Sequence, residues 1–199
     1  GRVIGKFKRR SRFRDAYRML ELVAAAARHA KASFRVAAPR GIVEAQHLYF
    51  QEALAGENVA ELIDANSAPR LMSRIGELHH ALHRLDGSDL TPISNSVWLR
   101  RASDDFAQIG LYFPEARERL AHLPALLTRL VPSDTGFVLC HGDFVCSQLL
   151  LAGDRWSITD FDLACSADPC RDVAMLVASL PYDVPFAAED PTGQRTDVL

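Results

Sequence analysis

Cys140-His141-Gly142-Asp143-Phe144-Val145-Cys146-Ser147-Gln148, followed by Ile158-Thr159-Asp160-Phe161-Asp162, is the stretch on which the reading of this chain turns. Each block sets an acid just after a short apolar run. Phe137 to Cys140 reads as one short strand. Gln148 to Leu151 and Arg155 to Thr159 read as two more, joined by a turn at Ala152-Gly153-Asp154. A strand end is a rigid place from which to aim a carboxylate into a cleft. A carboxylate, an amide and a second carboxylate, in that order, suit phosphoryl transfer. One acid accepts or orients the attacking hydroxyl. The other acid and the amide oxygen hold Mg²⁺ against a triphosphate.

Working outward, Asp168-Pro169 has the form of an N-cap followed by proline at the first helical position. Val173, Leu176, Val177 and Leu180 would give that helix a buried face, and the tail from Pro181 reads as loop. Upstream, Leu71, Ile75, Leu78, Leu82 and Leu85 recur with the period of an amphipathic helix. Another helix is expected near Val97 to Ile109, and a pair over Pro114 to Val131 broken at Pro124. At the start, Val3 to Phe7 reads as a strand running into a basic patch, Lys6 to Arg14. A helix from Arg14 to Ala30 puts Tyr17, Leu20, Ala24 and Ala27 on one face. Pro39 and Gly41 should break the chain ahead of a hairpin made by Ile42-Val43 and His47 to Gln51. The expected class is therefore α+β. A small strand-rich part (1–53) precedes a mainly helical part (54–199) with a β-hairpin set into it, and the hinge falls near Gln51 to Gly56.

Composition narrows the field. The chain has 199 residues, 48% hydrophobic and 24% charged, which excludes intrinsic disorder and leaves one domain or two small lobes. A net charge of −2 gives no reason to expect nucleic acid or an anionic membrane as partner. No apolar run reaches the roughly 18 residues of a membrane span. Gly1-Arg2-Val3-Ile4-Gly5-Lys6 has neither an initiator Met nor the apolar core of a signal peptide, so a fragment or processed chain is the expectation. Cys140, Cys146, Cys165 and Cys170 come without a secretion signal, which favours reduced thiols and a cytoplasmic location.

The protein-kinase catalytic loop carries Asp-x-x-x-x-Asn, then a hairpin, then Asp-Phe-Gly. Asp143-x-x-x-x-Gln148, a hairpin and Asp160-Phe161-Asp162 keep that order and that first spacing. Together with Asp168-Pro169 and Asp172, the segment His141 to Ala174 resembles the aminoglycoside phosphotransferase family of small-molecule kinases. The resemblance implies a protein-kinase-like two-lobed fold with a partial, strand-rich N-lobe over 1–53 and a helical C-lobe over 54–199. It implies ATP-dependent transfer of a phosphoryl group to a hydroxyl of an aminoglycoside, sugar or amino-alcohol. Asp143 would be the catalytic base, and Gln148 and Asp160 would hold Mg²⁺. Lys6 would bind nucleotide phosphates with Glu21 as its acidic partner. Backbone groups at Gln51, Glu52 and Ala53 would meet the adenine edge, and His141 would brace the loop. Gly142 replaces the arginine of protein kinases, and only Phe161 to Asp168 lie between Asp160 and the next helix. That is too short to dock a peptide, so a small-molecule acceptor is implied. No glycine-rich loop precedes Lys6 and few residues follow the Asp172 helix, so the family pattern is incomplete at both ends.

Plainer readings stand beside these. Asp143, Asp160 and Asp172 could be loop and cap residues, Asp162 a turn acid or a group near the metal, Lys6 an edge-strand lysine, and Glu21 a surface acid. The cysteine spacings miss those of zinc sites. His79 and His83 share a helix face, as a solvated pair or as ligands. Trp98 and Trp156 suit packing. A kinase-like binding module without catalysis, or a hydrolase using the acids on a metal, is the rival to a kinase.

Overall fold

A computed structural model describes residues 1–131 and 136–184. In chain order the elements are β1 (Val3–Phe7), α1 (Phe13–His29), β2 (Arg35–Val36), β3 (Pro39–Val43), β4 (Leu48–Glu52), β5 (Glu57–Asn58), α2 (Val59–Leu62) and α3 (Ala68–His83). They continue as β6 (Pro92–Ile93), α4 (Asn95–Tyr112), α5 (Arg117–Leu130), β7 (Val138–Cys140), β8 (Leu149–Ala152), β9 (Arg155–Ile158), β10 (Cys165–Ala167) and α6 (Cys170–Asp183).

The first sheet has the order β1-β4-β3, antiparallel throughout, with α1 crossing from β1 to the far side. Its edge position explains why Pro39 opens β3 instead of breaking it, because an edge strand tolerates a missing N–H. Gly41 sits at an irregularity in the β3–β4 register, so the expected break is a bulge inside a strand. α1 buries Phe13, Ala16, Leu20, Val23, Ala24 and Ala27, a wider face than Tyr17, Leu20, Ala24 and Ala27.

A second sheet, β2-β9-β8-β5, is built around the expected hairpin. β8 and β9 pair from Leu149↔Ile158 to Ala152↔Arg155, which leaves Gly153-Asp154 as a two-residue turn. β2 pairs parallel to β9, and β5 antiparallel to β8, so chain from both sides of the expected hinge pairs with this hairpin. A third sheet, β6-β10-β7, contains the strand that leads into His141. The main core gathers Leu71, Ile75, Leu78 and Leu82 of α3, Leu149 and Ile158 of the hairpin, and Phe144 and Phe161 of the two motif loops. The helical period of α3 and the loop motifs thus meet in one apolar cluster.

Three helical expectations are corrected. α5 runs unbroken through Pro124. α6 continues through Pro181 to Asp183 instead of giving way to loop. On α6, Val173 is 46% and Val177 61% exposed; Leu176 and Leu180 are only partly buried against the core. The one fully buried residue of that helix is Asp172, so α6 is held by a polar contact as much as by its apolar residues. The N-cap is Pro169, one residue later than expected, and Asp168 ahead of it accepts the Cys170 N–H at its Oδ1 at 2.9 Å. Trp156 is buried, whereas Trp98 lies against two guanidinium groups, with Arg171 at 3.8 Å and Arg101 at 5.0 Å from the ring. The rest of the tail expected to be loop, 185–199, lies outside the described residues.

Candidate active site

The loop after β7 is fixed from below. Asp172, wholly buried on α6, accepts the His141 N–H at 2.7 Å and the Gly142 N–H at 2.9 Å. Burial disfavours its charge, but His83 and these two donors outweigh that and hold its carboxyl below the usual range. Arg171 donates to the Gly142 carbonyl at 3.0 Å from the same helix. The buried His141 ring ties the two motifs together. Its Nε2 lies 2.7 Å from the Thr159 carbonyl and its Nδ1 takes the Asp143 N–H at 3.2 Å. Those partners require a neutral ring with the proton on Nε2. Burial, ahead of all other influences, pushes its pKa down, in keeping with that state. His141 is the brace that the sequence implied.

Held this way, Asp143 is aimed by its backbone alone. Its side chain is half-buried, and its carboxylate accepts no hydrogen bond among the described residues. Such a carboxylate is free to take a proton from, or orient, an incoming hydroxyl.

Asp160 begins the second motif in the left-handed region, at φ 61 and ψ 55. That sharp turn sends β9 into the next loop and presents the Asp160 carboxylate to β1. Lys6 Nζ meets Asp160 Oδ1 at 2.8 Å, across 154 positions of sequence. Burial opposes ionisation of Asp160, but Lys6 and Lys8 prevail and lower its pKa. Gln148 is adjacent in sequence to β8, and its Oε1 lies 3.1 Å from the Thr159 hydroxyl. Thr159 also ties back to the Gln148 carbonyl through both its N–H and its hydroxyl. Two oxygen donors, the Asp160 carboxylate and the Gln148 amide, suit a hard cation such as Mg²⁺.

The sequence reading missed Lys8. It lies one residue past the end of β1, two positions from Lys6, and forms an ion pair with Asp162. Burial works against the Lys8 ammonium, but Asp162 and Asp160 raise its pKa. Tyr49, buried on β4, donates to Asp162 Oδ1 at 2.7 Å. Burial first, then Asp162, pushes that phenol well above its ordinary range. Its spacing of two from Lys6, carried past the end of β1, was the available signal for Lys8; nothing local pointed to Tyr49.

Glu21 does not meet Lys6. Among the described residues no ion pair joins them; Glu21 lies exposed on α1 beside the Tyr17 phenol. Lys6 reaches across to Asp160 instead. Gln51, Glu52 and Ala53 lie at the end of β4, but the Glu52 N–H donates to Ala38 and the Ala53 N–H to Arg2. The Glu52 carboxylate is engaged by Arg35 at 2.5 Å and the Ala38 N–H at 3.3 Å. The donors at Glu52 and Ala53 are thus occupied within the sheet. Cys140, Cys146 and Cys165 are buried free cysteines and Cys170 an exposed one. Among the described residues no helix is long and apolar enough to cross a membrane.

Comparison with solved structures bears on the fold. The chain is similar to aminoglycoside phosphotransferase APH(2'')-Ib in its ADP-bound form, with a TM-score of 0.63 and 18% identity over 85% of this chain and 62% of that one. It is similar to APH(3'')-Id from Streptomyces rimosus in complex with ADP and streptomycin, with a TM-score of 0.64 and 16% identity over 96% and 75%. It is also similar to a choline/ethanolamine kinase family protein from Mesorhizobium loti, with a TM-score of 0.56 and 21% identity over 94% and 59%. The chain therefore spans about 62% of the length of the first of these. A search of curated proteins found no match. Identities this low speak for the protein-kinase-like fold alone. The family model for phosphotransferase enzymes matches residues 1–196, and with the His141–Asp143 and Asp160–Asp162 loops braced as described, the chain belongs to the phosphotransferase enzyme family.

Proposed function

We propose that this protein is an ATP-dependent phosphotransferase that phosphorylates a hydroxyl of a small molecule of the aminoglycoside, sugar or amino-alcohol class. The observation that carries the reading is the Lys6–Asp160 contact at 2.8 Å, taken with an Asp143 carboxylate that accepts no hydrogen bond among the described residues. A cation and an acid 154 positions apart meet at the second motif, and the first motif holds a carboxylate with no hydrogen bond among the described residues. Similar structures hold ADP, and one holds streptomycin as well.

In this reading Asp143 orients the acceptor hydroxyl and receives its proton as the acceptor oxygen bonds to the γ-phosphorus. The bond from that phosphorus to the β–γ bridging oxygen breaks, and ADP departs. Asp160 and Gln148 would hold Mg²⁺, which when bound neutralises phosphate charge. Lys6 would turn from Asp160 toward the phosphates, and Lys8, just past β1, adds positive charge beside Asp162. Gln51 to Ala53 would mark the junction between an N-lobe over 1–53 and a C-lobe over 54–199. The adenine edge would be read from backbone groups there that the sheet leaves open. A cytoplasmic location, where ATP and reduced thiols coexist, goes with this reading.

A second reading is a nucleotide-binding module without turnover. It is favoured by the Gln148 amide oxygen, already within hydrogen-bond distance of the Thr159 hydroxyl. Thermal-shift titration with Mg-ATP, run beside an assay of phosphate transfer to a panel of small-molecule alcohols, separates the two. Bound ligand raises stability by RT ln(1 + [L]/Kd). The kinase reading expects a Mg²⁺-dependent rise in the native chain and in Asp143→Asn, and none in Asp160→Asn. Transfer should fall by about 10²–10⁴-fold in Asp143→Asn. A rise without transfer in the native chain supports the module, and no rise at all overturns both.

A further inference from the structure

The Asp172 carboxylate that holds the His141 and Gly142 N–H groups also belongs to a group of metal-ligating side chains that the proposed reaction does not use. His79 and His83 are four apart on α3, and their rings meet edge to face with centroids 3.9 Å apart. The buried Asp172 carboxylate of α6 faces them, with its Oδ2 at 3.5 Å from His83 Nε2. One ligand atom from each of the three lies within 4.8 Å of the other two.

His79 supplies the second observation. Its Nε2 is buried and has no hydrogen-bond partner. A buried polar nitrogen without a partner is costly in a well-packed interior, so its retention asks for a reason. The ring sits against Phe144, with centroids 5.1 Å apart, which orients it without satisfying the nitrogen. Its pKa is lowered to about 4, by burial first and then by His83, so the imidazole is neutral and keeps a lone pair to give.

We propose that His79, His83 and Asp172 form a binding site for a divalent transition ion of the zinc class, with its fourth position taken by a water. His-x-x-x-His on a helix is a common spacing for two nitrogen ligands, and a carboxylate completes a three-ligand set. Ligand atoms around a tetrahedral zinc ion stand roughly 3.3 Å apart, at about 2.0–2.1 Å from the metal. The His83–Asp172 separation of 3.5 Å is already close to that. The Cys140 thiol, 4.0 Å from His83 Nε2, stays outside the set because it is directed at the Ala167 and Asp168 carbonyls. Both rings are incompletely buried, His83 with 10% of its side chain exposed, which gives an ion a way in. An ion there would pull on the carboxylate that holds His141 and Gly142, so occupancy would stiffen the catalytic loop.

The test is a titration of the chelator-treated full chain with Co²⁺ and Zn²⁺ in excess Mg²⁺, followed by visible absorption and by thermal unfolding. Expected are one ion per chain, Co²⁺ bands of four- or five-coordinate intensity without a thiolate charge-transfer band, and a raised unfolding temperature. His79→Ala should weaken binding by on the order of tenfold to a hundredfold. His79→Gln, closer in size, repeats the test should the alanine variant fold poorly. His80→Ala on the exposed side of α3, Cys140→Ser and Asp160→Asn should all bind as the native chain does. Overturning results are no stoichiometric ion, a thiolate band lost in Cys140→Ser, binding undiminished in both His79 variants, or binding lost in Asp160→Asn.

Discussion

Gly142 shows how tightly one residue can tie the proposed active site to its support. Its φ of +86 is a conformation that side chains rarely adopt, and its N–H and carbonyl are taken by Asp172 and Arg171. A Cβ there would fall 2.1 Å from the Leu163 carbonyl oxygen and 2.8 Å from its carbon. Backbone must therefore move, and the moving part is the loop that aims Asp143. Gly142→Ala is expected to lower stability by about 2–4 kcal/mol, combining left-handed strain with the clash. Gly153 is the control. It too has positive φ, at +61, but a Cβ there meets nothing within 4 Å. Gly153→Ala should cost only about 1–2 kcal/mol. Urea midpoints at unchanged m-value measure both, and equal losses would show that the Leu163 contact does not matter.

At the scale of elements, α5 carries an internal proline at a position where the helix continues. Pro124 is partly buried and lines a groove of about 320 Å³ with Phe106, Gly110 and Leu120 from the α4–α5 pair. It cannot donate back to the preceding turn, and α5 buries no residue fully among those described, so tertiary packing gives the helix little support. Pro124→Ala should stabilise the protein by about 1–3 kcal/mol, read from the shift in its denaturation midpoint. A loss would mean that the proline ring is needed to pack the groove. The same element shows where sequence reading stops. Periodicity found α1, α3 and the β8–β9 hairpin because their apolar spacing is a local property. It placed a break at Pro124 because local preference says so. On α6 it assigned a buried face to Val173 and Val177, yet Asp172 is what that helix buries, for a charge anchored by two N–H groups outweighs apolar pattern. The motif loops were legible as ordered spacings. The Lys6–Asp160 and Tyr49–Asp162 contacts were not, since 154 and 113 positions separate the partners and nothing local encodes them.

For the molecule as a whole, the buried titratable groups set the pH range of stability. His79 and His141 both have pKa values lowered in the folded state, His79 to about 4, against about 6.5 for an unfolded imidazole. Between those values the unfolded chain holds more protons than the folded one, so stability falls as pH falls through that window. The contribution is complete above about pH 6.5 and is lost below it. Asp160 and Asp172 act further down. Their folded pKa values lie below the usual carboxylate range, so their stabilisation is present above about pH 4 and disappears as pH drops further. On the alkaline side, burial raises the Cys146 thiol to about 11 and the Cys140 thiol further still. Folded thiols then keep protons that unfolded ones release from about pH 8.5 upward, and stability falls as pH rises past that point. The expected profile of unfolding free energy, measured in chelator, is flat between about pH 6.5 and 8.5 and declines on both sides. Each histidine contributes a slope of up to about 1.4 kcal/mol per pH unit on the acid side. His79→Gln should flatten that limb without abolishing it, because His141 still titrates. An acid limb that begins only near pH 4 would mean that both imidazoles can be protonated where they stand, and the neutral His141 that links Asp143 to Thr159 would then have to be abandoned.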